Sequence, residues 1–194
     1  RDMLRLLPNV LSVARILAAP LLVVLALQNH ETAFTWILVL GLLSDMADGL
    51  VARYFHLESA LGALLDSIGD MLLLFTAAFG IWVFHFEVID THKLPVLLAI
   101  GFGIAENIFA LLRYRRLSSF HTLLSKAAGY SLGIFIGVLF IFGFQPWLFY
   151  LAIIVSVTSN IEEFFLLALL PEWRSDVRGL WWVLRERQSG EDRS

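Results

Sequence analysis

The sequence predicts an all-α polytopic membrane protein with six transmembrane helices and short interfacial helices at its N- and C-terminal ends. Three observations lead to this fold class. Of the 194 residues, 59% are hydrophobic and only 16% are charged, whereas soluble domains carry about 25% charged residues. Apolar runs of about twenty residues, long enough to cross a bilayer as a helix, recur along the chain. Short polar turns separate these runs, which predicts successive crossings of one membrane.

Composition also excludes some classes of function. The formal net charge of −3 and the isoelectric point near 5.9 argue against nucleic acid as a partner. The chain has no cysteine, so disulfides and thiolate chemistry are excluded. Membrane lipids are the partners that this composition favours.

The first span is predicted at 10–27, after a short mixed segment at 1–7. That segment either lies along the membrane surface as an interfacial helix or is a truncated start of the chain. Pro8 predicts a boundary between the two. Arg15 lies two turns inside the apolar run, where it either stands near the entrance of a functional site or snorkels to the membrane interface.

The next two spans are predicted at 33–53 and 59–84. A polar loop follows at 85–93 and contains His85 and His92. Two histidines raise the question of a metal site, but no ligand spacing recurs around them. A solvated loop is therefore the favoured interpretation.

The last three spans are predicted at 94–114, 120–142 and 146–170. The fifth span carries a stripe of glycines at four-residue spacing, which is typical of close helix packing: Gly129, Gly133 and Gly137. The fourth and sixth spans contain polar residues that are unfavourable in lipid, so we expect them to face other helices: Glu106, Asn107, Asn160, Glu162 and Glu163.

Residues 1–172 are interpreted as one six-helix membrane domain, and residues 173–194 as a cytoplasmic tail that is amphipathic and partly disordered. Trp173, Trp181 and Trp182 in this tail are typical of a helix that lies in the membrane interface.

The distribution of positive charge predicts the orientation of the spans. Six spans put both termini on one side of the membrane, and all of the 14 Lys and Arg residues except Lys93 lie on that side. The positive-inside rule makes this side cytoplasmic. The turn between spans two and three lies there as well. We therefore expect an integral protein of a bacterial inner membrane, or an equivalent membrane, with its functional residues open to the cytoplasm.

Four carboxylates stand near the adjoining ends of spans two and three: Asp45, Asp48, Asp66 and Asp70. At the centre of a membrane helix each costs about 2.5–3.5 kcal/mol on insertion scales, so four together need a cation. The first two are three residues apart and the last two are four apart, so each pair shares a helix face. Neighbouring antiparallel helices would bring the pairs together, and oxygen ligands without Cys or nearby His favour Mg²⁺ or Mn²⁺.

The residues between these acids are compatible with a ligand site. Gly49, Ala52 and Gly62 leave space beside the carboxylates for a close helix contact or for a ligand against the backbone. Arg53 stands next to the acids, where it can pair with them or with a phosphate.

The pattern D-x2-D-G-x2-A-R-x8-G-x3-D-x3-D over 45–70 resembles the signature of the class I CDP-alcohol phosphotransferase (CDP-alcohol phosphatidyltransferase) family, membrane enzymes of phospholipid synthesis. The run P-N-V-L-S-V-A-R at 8–15 is similar to the opening P-N-x-L-[ST]-x-x-R of many members. All eight fixed positions of the first pattern are present: Asp45, Asp48, Gly49, Ala52, Arg53, Gly62, Asp66 and Asp70.

The resemblance implies a metal-dependent phosphatidyltransferase of the EC 2.7.8 type. It would move the phosphatidyl group of a CDP-alcohol to an acceptor hydroxyl and release CMP. The favoured CDP-alcohol is CDP-diacylglycerol. The metal ligands would be the four acids Asp45, Asp48, Asp66 and Asp70, holding two Mg²⁺ or Mn²⁺ ions, and Asp70 would also be the general base. The nucleotide would lie against Asp45, Gly49, Ala52, Arg53, Gly62 and Asp66. The family also implies a homodimer.

Three classes of acceptor remain as alternatives: a small alcohol, a sugar alcohol and a lipid hydroxyl. The corresponding products are of the phosphatidylglycerophosphate, cardiolipin or phosphatidylinositol type. Candidates for binding it are Arg113, Lys126, Asn9 and Arg15. The alternative for the cations is anchoring to anionic lipid, which is favoured for Arg115 and Arg116.

Two other classes of function compete with the enzyme. A divalent-cation transporter needs acids spread across the depth of the bilayer, whereas these acids cluster near one face. A catalytically inactive member of the family acting as a structural membrane partner would need an incomplete site, and the intact motif argues against it.

Overall fold

The structure, a computed structural model, describes residues 2–55, 60–114, 122–169, 180–183 and 185; within these, the side chains of 2–9, 46–55, 60, 61, 63 and 114 are not described. The described chain is all-α, as predicted. Its helices are α1 (Asp2–Leu27), α2 (Glu31–Phe55), α3 (Ala60–Phe84), α4 (Phe86–Thr91), α5 (Lys93–Tyr114), α6 (Leu123–Phe142) and α7 (Pro146–Leu169).

Five helices of the described chain are long and apolar enough to cross a membrane: Val10–Leu27, Leu64–Phe84, Lys93–Arg113, Leu123–Phe142 and Pro146–Leu169. By length and composition these five candidate spans point to an integral membrane protein, and they coincide with five of the six predicted spans. The remaining one, predicted at 33–53, falls on α2, a helix of 25 residues that is not among the five. The sixth span therefore stays a prediction.

Helix α1 runs without interruption through Pro8, so the boundary predicted there is wrong. Pro8 lacks an N–H group and so loses the bond to the carbonyl four residues earlier, close to the helix start. The helix ends at Leu27 in a Schellman motif. Asn29 adopts a left-handed φ of 57°, and the N–H groups of Asn29 and His30 donate to the carbonyls of Ala26 (3.0 Å) and Leu25 (2.9 Å).

The first of two compact units comprises residues 1–91 and 136–143. Helix α1 packs mainly along α3 and also along α2. Phe34 on α2 is completely buried, and its ring centroid lies 5.4 Å from that of Phe84 and 5.3 Å from that of Phe140. Gly80 faces this cluster, because a Cβ atom there would overlap the Phe34 ring. The aromatic core of the unit thus requires a residue without a side chain at position 80.

The predicted polar loop at 85–93 is wrong in part, because 86–91 forms the short helix α4. His85 is not solvated: its side chain is only 21% exposed, and its ring centroid lies 4.9 Å from that of Phe140. Its Nε2 atom is 3.5 Å from Oε1 of Glu31. Burial lowers the pKa of His85, although Glu31 and Glu87 act in the opposite direction.

This burial predicts an acid-sensitive packing contact in the first unit. The folded-state pKa of His85 lies below the ordinary value near 6.5, so the unfolded chain takes up the proton first as the pH falls. The stability contributed by neutral His85 is therefore complete above about pH 6.5 and is lost as the pH falls through the folded pKa. The melting temperature of the wild type should drop over this range by more than that of His85→Gln. Parallel pH profiles of the two proteins would contradict the prediction.

The second unit comprises residues 92–135 and 144–194, and in it α5 packs against α7. Ala110, Leu166 and Leu167 form a buried cluster that Val183 joins. The His92 ring is enclosed by aromatic neighbours in this unit rather than solvated, with centroid distances of 4.8–5.9 Å to Phe144, Phe149 and Tyr150.

Polar residues of the predicted fourth and sixth spans contact other helical segments of the second unit in part, as expected, whereas Asn107 Nδ2 donates to the Gly103 carbonyl of its own helix at 2.9 Å. Glu106 and Glu163 are buried, and Asn160 Nδ2 donates to the Ala99 carbonyl at 3.4 Å. Glu162 Oε1 accepts a hydrogen bond of 3.0 Å from the backbone N–H of Leu180. This last bond ties the helical residues 180–183 to α7.

The Glu162 bond predicts that the segment 180–183 opens when its acceptor is removed. A hydrogen bond to a charged group contributes about 1.5–3 kcal/mol, so Glu162→Leu should raise the rate of amide hydrogen exchange at Leu180 roughly ten- to hundredfold. Glu162→Gln is the matched control, because it keeps an acceptor oxygen at the same reach. Equal exchange rates in the leucine and glutamine variants would show that the contact does not hold the segment.

The glycine stripe of α6 has no packing partner among the described residues at two of its three positions. A Cβ atom added at Gly129 or Gly137 would have no described atom within 4 Å outside its own helix backbone. Close helix packing at these two positions therefore stays a prediction.

Candidate metal centre

Three helices of the first unit converge on one cluster of charged side chains. Helix α2 supplies Asp45, and α3 supplies Asp66 and Asp70, which are one turn apart and so share a helix face. One carboxylate oxygen from each of the three lies within 4.8 Å of the others. The structure thus brings together three of the four acids that the sequence singled out.

Arg15 of α1 stands among these carboxylates. Its Nη1 donates to Oδ1 of Asp45 at 2.8 Å and to Oδ1 of Asp70, and its Nη2 donates to Oδ1 of Asp66 at 2.5 Å. The arginine side chain is 2% exposed, whereas the three carboxylate side chains are 39–46% exposed. Of the two alternatives for Arg15, snorkelling to the interface is therefore wrong, because the guanidinium is buried in an ionic cluster.

Ser12 is a polar member of the site that was not among the predicted site residues, although it fills the Ser/Thr position of the pattern quoted for 8–15. It is 2% exposed, one turn before Arg15 on α1, and its hydroxyl donates to Asp66 Oδ1 at 3.4 Å. It also accepts a bond of 3.4 Å from Arg15 Nη2. Its spacing from Arg15 on one helix face was the available signal.

Gly69 marks a place where α1 and α3 lie close together. A Cβ atom at Gly69 would lie 3.4 Å from the carbonyl oxygen of Ser12 and 3.6 Å from Cβ of Arg15. These are ordinary van der Waals distances. The helix face that carries Asp66 and Asp70 therefore contacts the backbone of α1 near Ser12 and Arg15.

Several predicted site residues lie on these helices, but their side chains are outside the described part of the structure. They are Asn9 on α1 and Asp48, Gly49, Ala52 and Arg53 on α2. Gly62 is half-buried on α3, one turn before Asp66. The structure thus places the backbone of all eight fixed positions of the motif on two helices, α2 and α3.

Two of the predicted acceptor residues, Arg113 and Lys126, belong to the second unit, which is described by itself. Arg113 is exposed in the last turn of α5, and Lys126 is half-buried in the first turn of α6.

The described carboxylates could hold a metal ion. They offer hard oxygen ligands, which suit Mg²⁺ or Mn²⁺, and they lie close enough together to share an ion. One guanidinium offsets only one of the three carboxylate charges. A further cation would therefore be stabilised by the described cluster. Partial exposure of the three carboxylates leaves them accessible.

Comparison with known proteins agrees with this site. A family model described as CDP-alcohol phosphatidyltransferase matches residues 5–158, which include the whole cluster. The chain is 40% identical over 63 residues to the CDP-diacylglycerol–inositol 3-phosphatidyltransferase of Saccharomyces cerevisiae, covering 32% of this chain and 28% of that one. It is 38% identical over 74 residues to the CDP-diacylglycerol–glycerol-3-phosphate 3-phosphatidyltransferase of Cereibacter sphaeroides, covering 36% and 34%.

A third relative is the chloroplastic/mitochondrial CDP-diacylglycerol–glycerol-3-phosphate 3-phosphatidyltransferase 1 of Arabidopsis thaliana. It is 34% identical over 97 residues, covering 48% of this chain and 33% of the relative. The chain thus spans about a third of the length of the curated relatives it matches. The family model covers more than three quarters of the chain, and on that ground the chain belongs to the CDP-alcohol phosphatidyltransferase family.

Proposed function

We propose that this chain is a membrane phosphatidyltransferase that transfers the phosphatidyl group of CDP-diacylglycerol to an acceptor hydroxyl and releases CMP. The observation that carries the proposal is the convergence of Asp45, Asp66 and Asp70 within the stretch that the family model matches. Phosphoryl transfer depends mainly on positioning and on stabilisation of negative charge, and a cluster of accessible carboxylates suits both tasks through bound cations.

The four acids Asp45, Asp48, Asp66 and Asp70 are proposed to hold two divalent ions, Mg²⁺ or Mn²⁺. When bound, such ions neutralise the diphosphate and stabilise the charge that develops on the leaving CMP. The chain's own contribution is to gather the acids: α3 presents two of them one turn apart, and α2 presents the others.

Asp70 is proposed as the general base. The acceptor hydroxyl oxygen forms a bond to the phosphorus of the phosphatidyl group while the bond from that phosphorus to the oxygen of CMP breaks. The hydroxyl proton passes to the Asp70 carboxylate. The exposed fraction of that carboxylate, 44%, supports the role because an acceptor can approach it.

The nucleotide is proposed to lie against Asp45 and Asp66 and beside the small residues of the motif, Gly49, Ala52 and Gly62, with Arg53 at its phosphate or bracing the acids. Gly62 stands one turn before Asp66 on the same helix face, which supports close approach of a ligand there.

The acceptor is proposed to be a small alcohol, sugar alcohol or lipid hydroxyl. The yeast relative is named for inositol and the bacterial relative for glycerol 3-phosphate, so both belong in any test. Arg113, Lys126 and Asn9 are the proposed acceptor contacts. Arg15, the fourth candidate, is better explained by its bonds to the carboxylates.

We propose six spans, with both termini and the site on the cytoplasmic side of a bacterial inner membrane or its equivalent. The distribution of Lys and Arg supports this orientation. Residues 1–172 form the proposed membrane domain, and residues 173–194 the cytoplasmic tail. Exposed Trp181 and Trp182 support an interfacial position for the tail. A homodimer and an interfacial N-terminal segment remain part of the proposal.

The test is an assay of CMP release and lipid mass in nanodiscs containing CDP-diacylglycerol and one acceptor at a time. The panel contains glycerol 3-phosphate, inositol, inositol phosphate and phosphatidylglycerol. Turnover with one acceptor, lost on adding EDTA and restored by Mg²⁺ or Mn²⁺, is the expected result. Nucleotide binding without turnover on any acceptor would favour an inactive membrane partner, and metal flux into liposomes without consumption of CDP-lipid would favour a transporter.

A further inference from the structure

A centre built from acids and divalent ions does not by itself need an arginine, yet Arg15 donates to three of the acids. The guanidinium is nearly inaccessible, with 2% exposure, while Asp45, Asp66 and Asp70 are 39%, 46% and 44% exposed. Arg15 therefore contacts the carboxylates from the protein interior and leaves a part of each carboxylate exposed.

From this arrangement we infer that Arg15 is a resident counter-ion: it stabilises the gathered carboxylates in the metal-free protein and opposes the binding of divalent ions. The inference rests on the proposed function, because the same carboxylates are taken to hold the ions.

The charges explain both halves of this role. Carboxylate oxygens within 4.8 Å of one another repel, and in a membrane helix each unpaired charge is unfavourable. One guanidinium relieves part of that repulsion. Two divalent ions neutralise four carboxylates completely, so an arginine in the same cluster then adds surplus positive charge. Two cations that compete for the same acids weaken each other's binding, and this coupling is reciprocal.

Burial keeps the arginine from simply moving away when ions bind. Its side chain is 2% exposed, and it stands on α1, which packs mainly along α3. Ser12 is also within 3.4 Å of Arg15 Nη2. The guanidinium therefore stays close to the carboxylates, and its charge acts on any ion that they bind.

The first experiment measures the dissociation constant of Mn²⁺ by electron paramagnetic resonance on the full chain in nanodiscs without nucleotide. Arg15→Gln should bind Mn²⁺ about tenfold more tightly than the wild type, a coupling typical of charges in direct contact. Arg185→Gln is the matched control, because it removes an arginine that lies over the Trp181 ring in the second unit. Its dissociation constant should equal that of the wild type.

The second experiment measures melting temperature in EDTA. Arg15→Gln should melt at least about 5 °C below Arg185→Gln, because it leaves the acids without their counter-ion. Adding Mn²⁺ should raise its melting temperature more than that of the wild type. The double variant Arg15→Gln/Asp45→Asn should recover part of the loss. If Arg15→Gln does not fold without metal, recovery of folding in the double variant gives the same information.

Mn²⁺ affinity in Arg15→Gln equal to or weaker than that of the wild type would overturn the counter-ion role and leave the proposed function intact. An unchanged melting temperature in EDTA, or a double variant no more stable than Arg15→Gln, would overturn it as well. Absence of Mn²⁺ binding in every variant would instead contradict the metal centre of the proposed function. It would also contradict the inference that Arg15 opposes the binding of divalent ions.

Discussion

Replacing Asp66 with asparagine is expected to lower metal-dependent CMP release at least about 100-fold, the loss found when one preorganised electrostatic group is removed from an active site. Asparagine keeps the size of the side chain but lacks its charge. Asp66 has two hydrogen-bond partners within the cluster, since it accepts from both Arg15 (2.5 Å) and Ser12 (3.4 Å). The measurement is CMP release with the best acceptor of the panel, at saturating Mg²⁺ and Mn²⁺ in turn.

The matched control for this prediction is Asp90→Asn, which removes an exposed carboxylate from α4. It should keep wild-type turnover and metal dependence. Circular dichroism and melting temperature would establish that Asp66→Asn is folded. Turnover of the folded Asp66→Asn protein within a few-fold of the wild type, with unchanged metal dependence, would remove this carboxylate from the metal ligands.

Replacing Gly80 with alanine is expected to destabilise the first unit by about 1–3 kcal/mol, the range for adding a methyl group to a filled core. The new Cβ atom would overlap the ring of Phe34 and would lie 3.2 Å from Cζ of Phe140. Phe34 is completely buried, so its ring has no open space into which to move. The measurement is the free energy of unfolding in detergent, from denaturant titration monitored by tryptophan fluorescence.

Gly137→Ala is the matched control, because it makes the same change in the same unit where the added Cβ atom would meet no described atom within 4 Å. It should be neutral or stabilising by up to about 1 kcal/mol, since alanine is the better helix former. Combining Gly80→Ala with Phe34→Leu should relieve the overlap, so the double variant should be more stable than the two separate losses predict. Equal effects of alanine at positions 80 and 137 would contradict the packing described for this core.

Much of the fold could be predicted because a membrane span is recognised from a continuous stretch of sequence: an apolar run of sufficient length that ends in polar residues. The span predicted at 10–27 coincides with Val10–Leu27, and the one predicted at 146–170 differs by one residue from Pro146–Leu169. The prediction of a loop at 85–93 is wrong in part because the charged residues of this segment are typical of a solvated loop, although 86–91 forms the short helix Phe86–Thr91. The spacing of the glycine stripe likewise identifies one face of α6, but it does not predict which residues lie opposite that face.

The acids of the candidate site could be predicted, whereas their partner could not. The spacing of Asp45, Asp66 and Asp70 within one motif signals a shared site. The position of Arg15 depends on how α1 packs against α3, a contact between residues 55 apart in sequence. No periodicity along α1 reveals that arrangement, and the sequence offered a place near the functional site only as one of two alternatives for Arg15.

The pairing of Arg15 with acids on later helices has a consequence for biogenesis. The arginine emerges from the ribosome 55 residues before Asp70, which at about 5–20 residues per second means that it precedes that partner by roughly 3–11 s. During the first part of this interval, until Asp45 follows 30 residues after the arginine, the first helix carries a cation without its partners, which lipid disfavours. We expect the insertion machinery to retain this helix until the third one arrives, so the three helices enter the bilayer as a group.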